Sequence, residues 1–182
     1  MATYVESGLE VNLPDGAHFR FESLPTYVQV SGQQVKEMDF AWLHNGKLWL
    51  LEVKDFKQVT DSLTKDDFVA TKGQPAPRRF EELVTKITDS LLMLLAAWAQ
   101  TGWGKKLAAE LPAPARKAVP LKLIVAIELP VALAVHLGAL KTALNDRLRG
   151  RVAMVDVPVV TLLDYTRLAA HPATGPYVRR LP

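Results

Sequence analysis

Apolar positions come in short alternating or continuous blocks through the first third of the chain and then recur at helical spacing, which predicts strands first and helices afterwards. The densest block, Met38 to Lys54, is interrupted by Asn45-Gly46, the dipeptide favoured in a two-residue type I′ turn because both central residues take φ > 0. The flanking runs are therefore expected to pair antiparallel. His44 then faces Lys47, Leu43 faces Leu48, Trp42 faces Trp49, Ala41 faces Leu50 and Phe40 faces Leu51. Leu9–Leu13 and His18–Phe21 flank Pro14-Asp15-Gly16 and predict an additional N-terminal hairpin, and Tyr27–Val30 reads as a short strand.

Residues 78–100 carry one apolar stripe of Phe80, Leu83, Val84, Ile87, Leu91, Leu94, Leu95 and Trp98, flanked by Lys86, Ser90 and Met93, and predict a long amphipathic helix. The almost continuous apolar run Leu121–Leu129, ended by Pro130, predicts a buried strand set parallel to Lys47–Lys54 by a right-handed crossover. A second helix is expected over 131–149, with Leu133, Leu137, Leu140, Leu144 and Leu148 on one stripe and Gly150 as its stop. Val152–Val155 and Val159–Leu163 are strand candidates. The segments between read as a long loop at 55–77 with a helical turn near Thr64–Ala70, a proline-rich connector at 112–120 and an irregular tail at 171–182. The sum is one α/β domain over 1–182, a mixed sheet flanked by helices.

The chemistry lies in three ionisable residues inside the apolar hairpin. One step beyond Phe40 and Leu51 the register sets Asp39 opposite Glu52, and Lys54, two residues on, shares their face. Directly opposed like charges are about 4.5–5.5 Å apart at Cβ and repel. A hard divalent cation offsets that repulsion, since Mg²⁺ takes one or two carboxylates together with water and phosphate oxygens. A lysine beside it can orient water or stabilise charge developing on a phosphate. The same register offers a plainer alternative, a cross-strand ion pair of Glu37 with Lys54, with Asp39 and Glu52 both hydrated.

An acidic residue on one strand followed by Glu-x-Lys on the next, here Asp39 and then Glu52-Val53-Lys54, resembles the signature of the PD-(D/E)XK nuclease superfamily. Met38 stands where that signature has proline. The resemblance implies a restriction-endonuclease-like αβββαβ core and hydrolysis of phosphodiester bonds in nucleic acid, expected on DNA. It also implies Mg²⁺, with Mn²⁺ as a substitute, held by Asp39, Glu52 and the Val53 carbonyl, with Lys54 acting on the water. A polar residue from the following helix, Lys86, and a third carboxylate from an N-terminal element, Glu22, are its candidate additions. For Lys86 the alternative is a solvated lysine paired with Glu82 or Ser90. Small members of that superfamily often dimerise or join a partner protein for specificity, and some keep the fold as inactive modules that bind nucleic acid or assemble a complex. Those alternatives stay open, as do DNA against RNA and endonuclease against exonuclease.

Composition narrows the chemistry further. The 182 residues contain no cysteine, which excludes disulfides and thiolate metal sites. The longest apolar stretch, Leu91–Ala99, falls well short of the roughly 20 residues needed to cross a bilayer, and Met1–Glu6 lacks the pattern of an export signal. A cytoplasmic protein without membrane association is the expectation. The net charge of +3 is uneven: residues 1–40 carry −4 and the remainder +7. The bases Lys105, Lys106, Arg116, Lys117 and Lys122, then Lys141, Arg147, Arg149 and Arg151, and finally Arg179 and Arg180 suit either a phosphate backbone or an ordinary solvated surface.

Overall fold

The computed structural model describes residues 1–56 and 77–181, so the helical turn expected near Thr64–Ala70 lies outside the described residues. Strands β1 (Ala2–Glu6), β2 (Leu9–Leu13) and β8 (Val178–Arg180) form an antiparallel sheet in the order β1-β2-β8. The larger sheet has the order β3-β4-β5-β6-β7, from β3 (His18–Phe19), β4 (Phe40–His44), β5 (Lys47–Asp55), β6 (Leu121–Glu128) and β7 (Thr161–Leu163). Its first three strands are antiparallel, and β6 and β7 continue parallel to β5. The chain is thus a mixed α/β fold. Five α-helices accompany the sheets among the described residues: α1 (Pro25–Ser31), α2 (Arg78–Trp98), α3 (Gly102–Glu110), α4 (Leu137–Ala153) and α5 (Tyr165–Ala170). None of them is long and apolar enough to cross a membrane.

The central hairpin takes the expected register, from Phe40↔Leu51 to His44↔Lys47, around Asn45 (φ 48°) and Gly46 (φ 72°). Strand β5 is buried on both faces. Leu48 and Leu50, with Leu123, Val125 and Ile127 of β6, lie in the core that α2 and α4 cover. Trp49, Leu51 and Val53, with Phe40 and Trp42 of β4, pack instead on Leu9, Val11 and Leu13 of the small sheet and on Leu168 of α5. Two-sided burial explains why this strand reads as continuous apolar sequence, and it makes any charge on β5 costly unless it is compensated.

Several sequence expectations are corrected. Leu9–Leu13 pairs with Ala2–Glu6 around Ser7 (φ 47°) and Gly8 (φ 78°), a second tight turn, while His18–Phe19 joins β4 in the other sheet. Tyr27–Val30 is helical, because Pro25 opens α1 at its first turn and Thr26 and Tyr27 are buried. Asp55 still belongs to β5 rather than to the following loop. A 3₁₀ turn, Val131–His136, precedes α4, and α4 runs through Gly150 because Val152 extends its buried stripe of Leu140, Leu144 and Leu148. Val152–Val155 is therefore no strand. The tail after His171 contains β8, paired to β2, and α3 falls where the apolar pattern marks no element.

Helices α2 and α3 touch backbone to backbone at Gly104, where an added Cβ would lie 1.9 Å from the Ala96 carbonyl oxygen. Gly104→Ala is expected to cost about 2 kcal/mol or more in urea denaturation by forcing the helices apart. Gly138→Ala, where a Cβ meets nothing within 4 Å, is expected to gain up to about 1 kcal/mol. Equal midpoints for the two variants would contradict this packing.

Candidate functional site

Asp39 is the last residue before β4, and its surroundings fix it from three sides. Its carboxylate Oδ2 accepts the Val53 N–H of β5 at 2.7 Å, so the side chain continues the strand pairing past Phe40. Its backbone carbonyl accepts from Arg20 Nε at 3.2 Å. The residues leading into it hang on α2, with the Lys36 N–H on Asp89 Oδ2 and the Met38 N–H on the buried Ser90 Oγ, both at 2.9 Å. Glu52 sits on the α2 side of β5, two residues from Leu50 and from Lys54, and is 0% exposed.

Lys86 of α2 closes the arrangement. Its ammonium lies 3.0 Å from Asp39 Oδ1 and 2.8 and 3.0 Å from Glu52 Oε1 and Oε2. Lys54 Nζ stands 3.3 Å from Glu52 Oε1 and 3.8 Å from Glu82 Oε1. Although two ammonium groups are near, Glu52 Oε1 receives no hydrogen bond of proper geometry. Burial, and then the facing Asp39 carboxylate, push the Glu52 carboxyl up to about 8 against the opposing pull of Lys86 and Lys54. Burial disfavours the Lys86 cation, yet Glu52 and Asp39 hold its pKa above the ordinary lysine value. At neutral pH the cluster therefore holds its ammonium firmly and its buried carboxylate weakly.

This donor set suits a sparse cation site. Among the described residues no group of three or more His, Cys, Asp or Glu side chains is placed to hold a metal ion, so a closed protein cage is absent. Asp39 and Glu52 are two carboxylates of the number a Mg²⁺ ion can use, and the Lys86 ammonium stands between them.

The remaining candidates separate. Glu22 is exposed in a 3₁₀ turn and pairs with Arg20 at 2.8 Å, so its link to the site runs through Arg20 rather than to the carboxylate pair. Glu37 accepts a hydrogen bond from the Tyr27 hydroxyl, whereas Lys54 turns to Glu52 and Glu82; the alternative Glu37–Lys54 pair does not form. Lys86 is not the solvated lysine of the plainer expectation. Two residues have no place in the site expected from sequence. Glu82, expected only as a partner of a solvated Lys86, stands beside Lys54 instead, while nothing in the sequence marks Arg20 as the support of the Asp39 backbone.

Comparison of the chain with family models, with curated proteins and with solved structures finds no match. Function is therefore inferred from the geometry of this cluster.

Glu52 ionises near 4.5 in the unfolded chain and near 8 in the folded one, so between those values the folded state holds an extra proton. The stability from that proton is complete below pH 4.5 and is lost as pH rises through 8. Lys86 shifts in the same sense but only above its ordinary 10.5, outside this window. Denaturation midpoints of the wild type are expected to fall relative to Glu52→Gln between about pH 5 and 8. Parallel profiles would show that Glu52 ionises normally in the fold.

Proposed function

We propose that this chain is a metal-dependent phosphodiesterase of nucleic acid, with DNA as the expected substrate, on a restriction-endonuclease-like core. The observation that carries the reading is the convergence of Asp39, Glu52, Lys54 and Lys86 in one cluster at the end of a doubly buried strand. The order β3, β4, β5, α2, β6, with three antiparallel strands followed by a parallel one, supports the core, although α1 stands between β3 and β4 instead of ahead of them.

Asp39, Glu52 and the Val53 carbonyl would hold the Mg²⁺, or Mn²⁺ in its place. When bound, the ion would lower the pKa of water and neutralise phosphate charge. Glu52 must then give up the proton that burial lets it keep. Lys54, which reaches Glu52 Oε1 from the more open side, orients the attacking water or stabilises the charge gained by the phosphate. The Lys86 ammonium, now shared between the carboxylates, has a phosphate oxygen as its next partner. Specificity is assigned to a homodimer or a partner protein. The basic surface contributes less than its charge count suggests, since Arg147, Arg149 and Arg179 are paired with Glu81, Asp146 and Glu10.

One observation favours a second reading. Lys86 already supplies the positive charge that two facing carboxylates need, as a permanent internal cation would in a non-catalytic module that binds nucleic acid or assembles a complex. Cleavage assays with Mg²⁺ and Mn²⁺ on linear, circular and single-stranded DNA and on RNA separate the two. The nuclease reading expects turnover that Glu52→Gln abolishes, and that Lys54→Ala lowers by on the order of 10²-fold with little change in melting temperature. Glu37→Ala, which leaves Lys54 untouched, is expected to retain activity. The module reading expects no turnover with either ion. It also expects Lys86→Ala to destabilise the fold, with the loss growing as pH rises through about 8, where Glu52 gives up its proton with no ammonium to meet the charge.

A further inference from the structure

A cavity of about 590 Å³ opens at the C-terminal ends of β6 and β7, lined among others by Glu128, Leu129, Val131, Val135, Arg167 and Arg180. Asp39, Glu52, Lys54 and Lys86 do not line it, and its tie to them runs through β6. In the β5–β6 register Lys54 pairs with Ile127 and Asp55 with Glu128, so the cavity begins one strand away from Lys54, and strands lie about 4.8 Å apart. The carboxyl ends of parallel strands are where open α/β sheets take ligands.

The lining is divided by chemistry. On one side the 3₁₀ turn Val131–His136 buries none of its residues, and Val131 and Val135 are 92% and 80% exposed. Adjacent exposed valines on a cavity wall fit an apolar ligand face. On the other side Arg180 pairs with Glu128 at 2.9 Å and donates to Thr166 Oγ1 at 3.3 Å, and Arg167 reaches Asp164 Oδ2 at 3.3 Å while remaining 72% exposed. A guanidinium has five N–H donors, so both arginines keep donors for an anion after these contacts. Glu128 is nearly buried under Arg180, and Asp164 Oδ1 accepts the Arg167 N–H as the cap of α5, so both carboxylates serve to hold the arginines in place. An apolar wall facing guanidinium donors suits a nucleotide, with its base on the one and its phosphate on the other, and the volume is that of a small-ligand site.

We infer that this cavity seats an unpaired nucleotide of the substrate strand next to the scissile phosphate, its base against Val131 and Val135 and its phosphate on Arg167 and Arg180. The inference rests on the nuclease reading for its neighbour but is tested apart from cleavage. A fluorescent single-stranded oligodeoxynucleotide of about 12 nucleotides is titrated with protein in EDTA, and binding is read by anisotropy. The double variant Arg167→Ala/Val131→Glu changes only exposed side chains. Its control is Arg149→Ala/Met154→Glu. Arg149 makes a similar i,i+3 ion pair but lies 12 residues along from the start of α4, roughly 18 Å away by helix rise.

The cavity variant is expected to bind roughly tenfold or more weakly, with a salt slope reduced by about one, and the control to bind as the wild type does. Equal binding by the cavity variant and the wild type, or no binding by the wild type, overturns the subsite. If the wild type cleaves and Glu52→Gln does not, while the cavity variant binds normally, the subsite fails and the nuclease reading stands. Cavity-dependent binding by a wild type that never cleaves keeps the subsite and removes catalysis.

Discussion

A carboxylate that is wholly buried opposite a second carboxylate needs a positive charge at contact distance, and in this protein Lys86 supplies it from the helix that covers the sheet. The attraction acts between elements far apart in sequence: Asp39 leads into β4, Glu52 lies on β5, and Lys86 is on the middle of α2. Ser90 and Asp89, one turn further along α2, take the backbone N–H groups of Met38 and Lys36. Helix and hairpin are thus joined by polar contacts at the one place where the apolar core gives way to charge. Without Lys86 the two carboxylates would face each other with no cation between them, which the fold could meet only by keeping Glu52 protonated.

The architecture around this cluster directs its use. Strand β5 is covered by α2 and α4 on one side and by the small sheet on the other, so its end, with Glu52 and Lys54, is where chemistry can reach the outside. Exposure rises along that end from the buried Glu52 to the partly open Lys54. The proposed subsite lies across β6 from the same strand end. A substrate strand held there would pass the carboxylates without entering the core.

The part of this arrangement legible in the sequence was the part fixed by local rules. Asn45-Gly46 set the register, and the register alone aligned Asp39, Glu52 and Lys54; the helical stripe of α2 then placed Lys86 beside the sheet. What escaped was decided by competition or by distant contacts. Pro14-Asp15-Gly16 and Ser7-Gly8 are both turn sequences, and Leu9–Leu13 pairs across the latter. The short helix α3 carries no apolar stripe that marks it, yet its Gly104 lets it sit backbone to backbone on α2. The tail strand β8 exists because β2 has an edge to offer it, which no local pattern announces. Glu37 faced Lys54 by register, but Tyr27, brought near by a helix that local sequence read as a strand, takes its carboxylate instead.

In the proposed nuclease the Lys86 ammonium gives way to a divalent cation between the two carboxylates. Crystals of the protein grown with Mn²⁺, with anomalous diffraction recorded at the manganese edge, test this exchange. An anomalous peak is predicted between the Asp39 and Glu52 carboxylates, with the Lys86 ammonium moved away from at least one of them. An empty site at saturating Mn²⁺, with Lys86 still bridging both carboxylates, would contradict it.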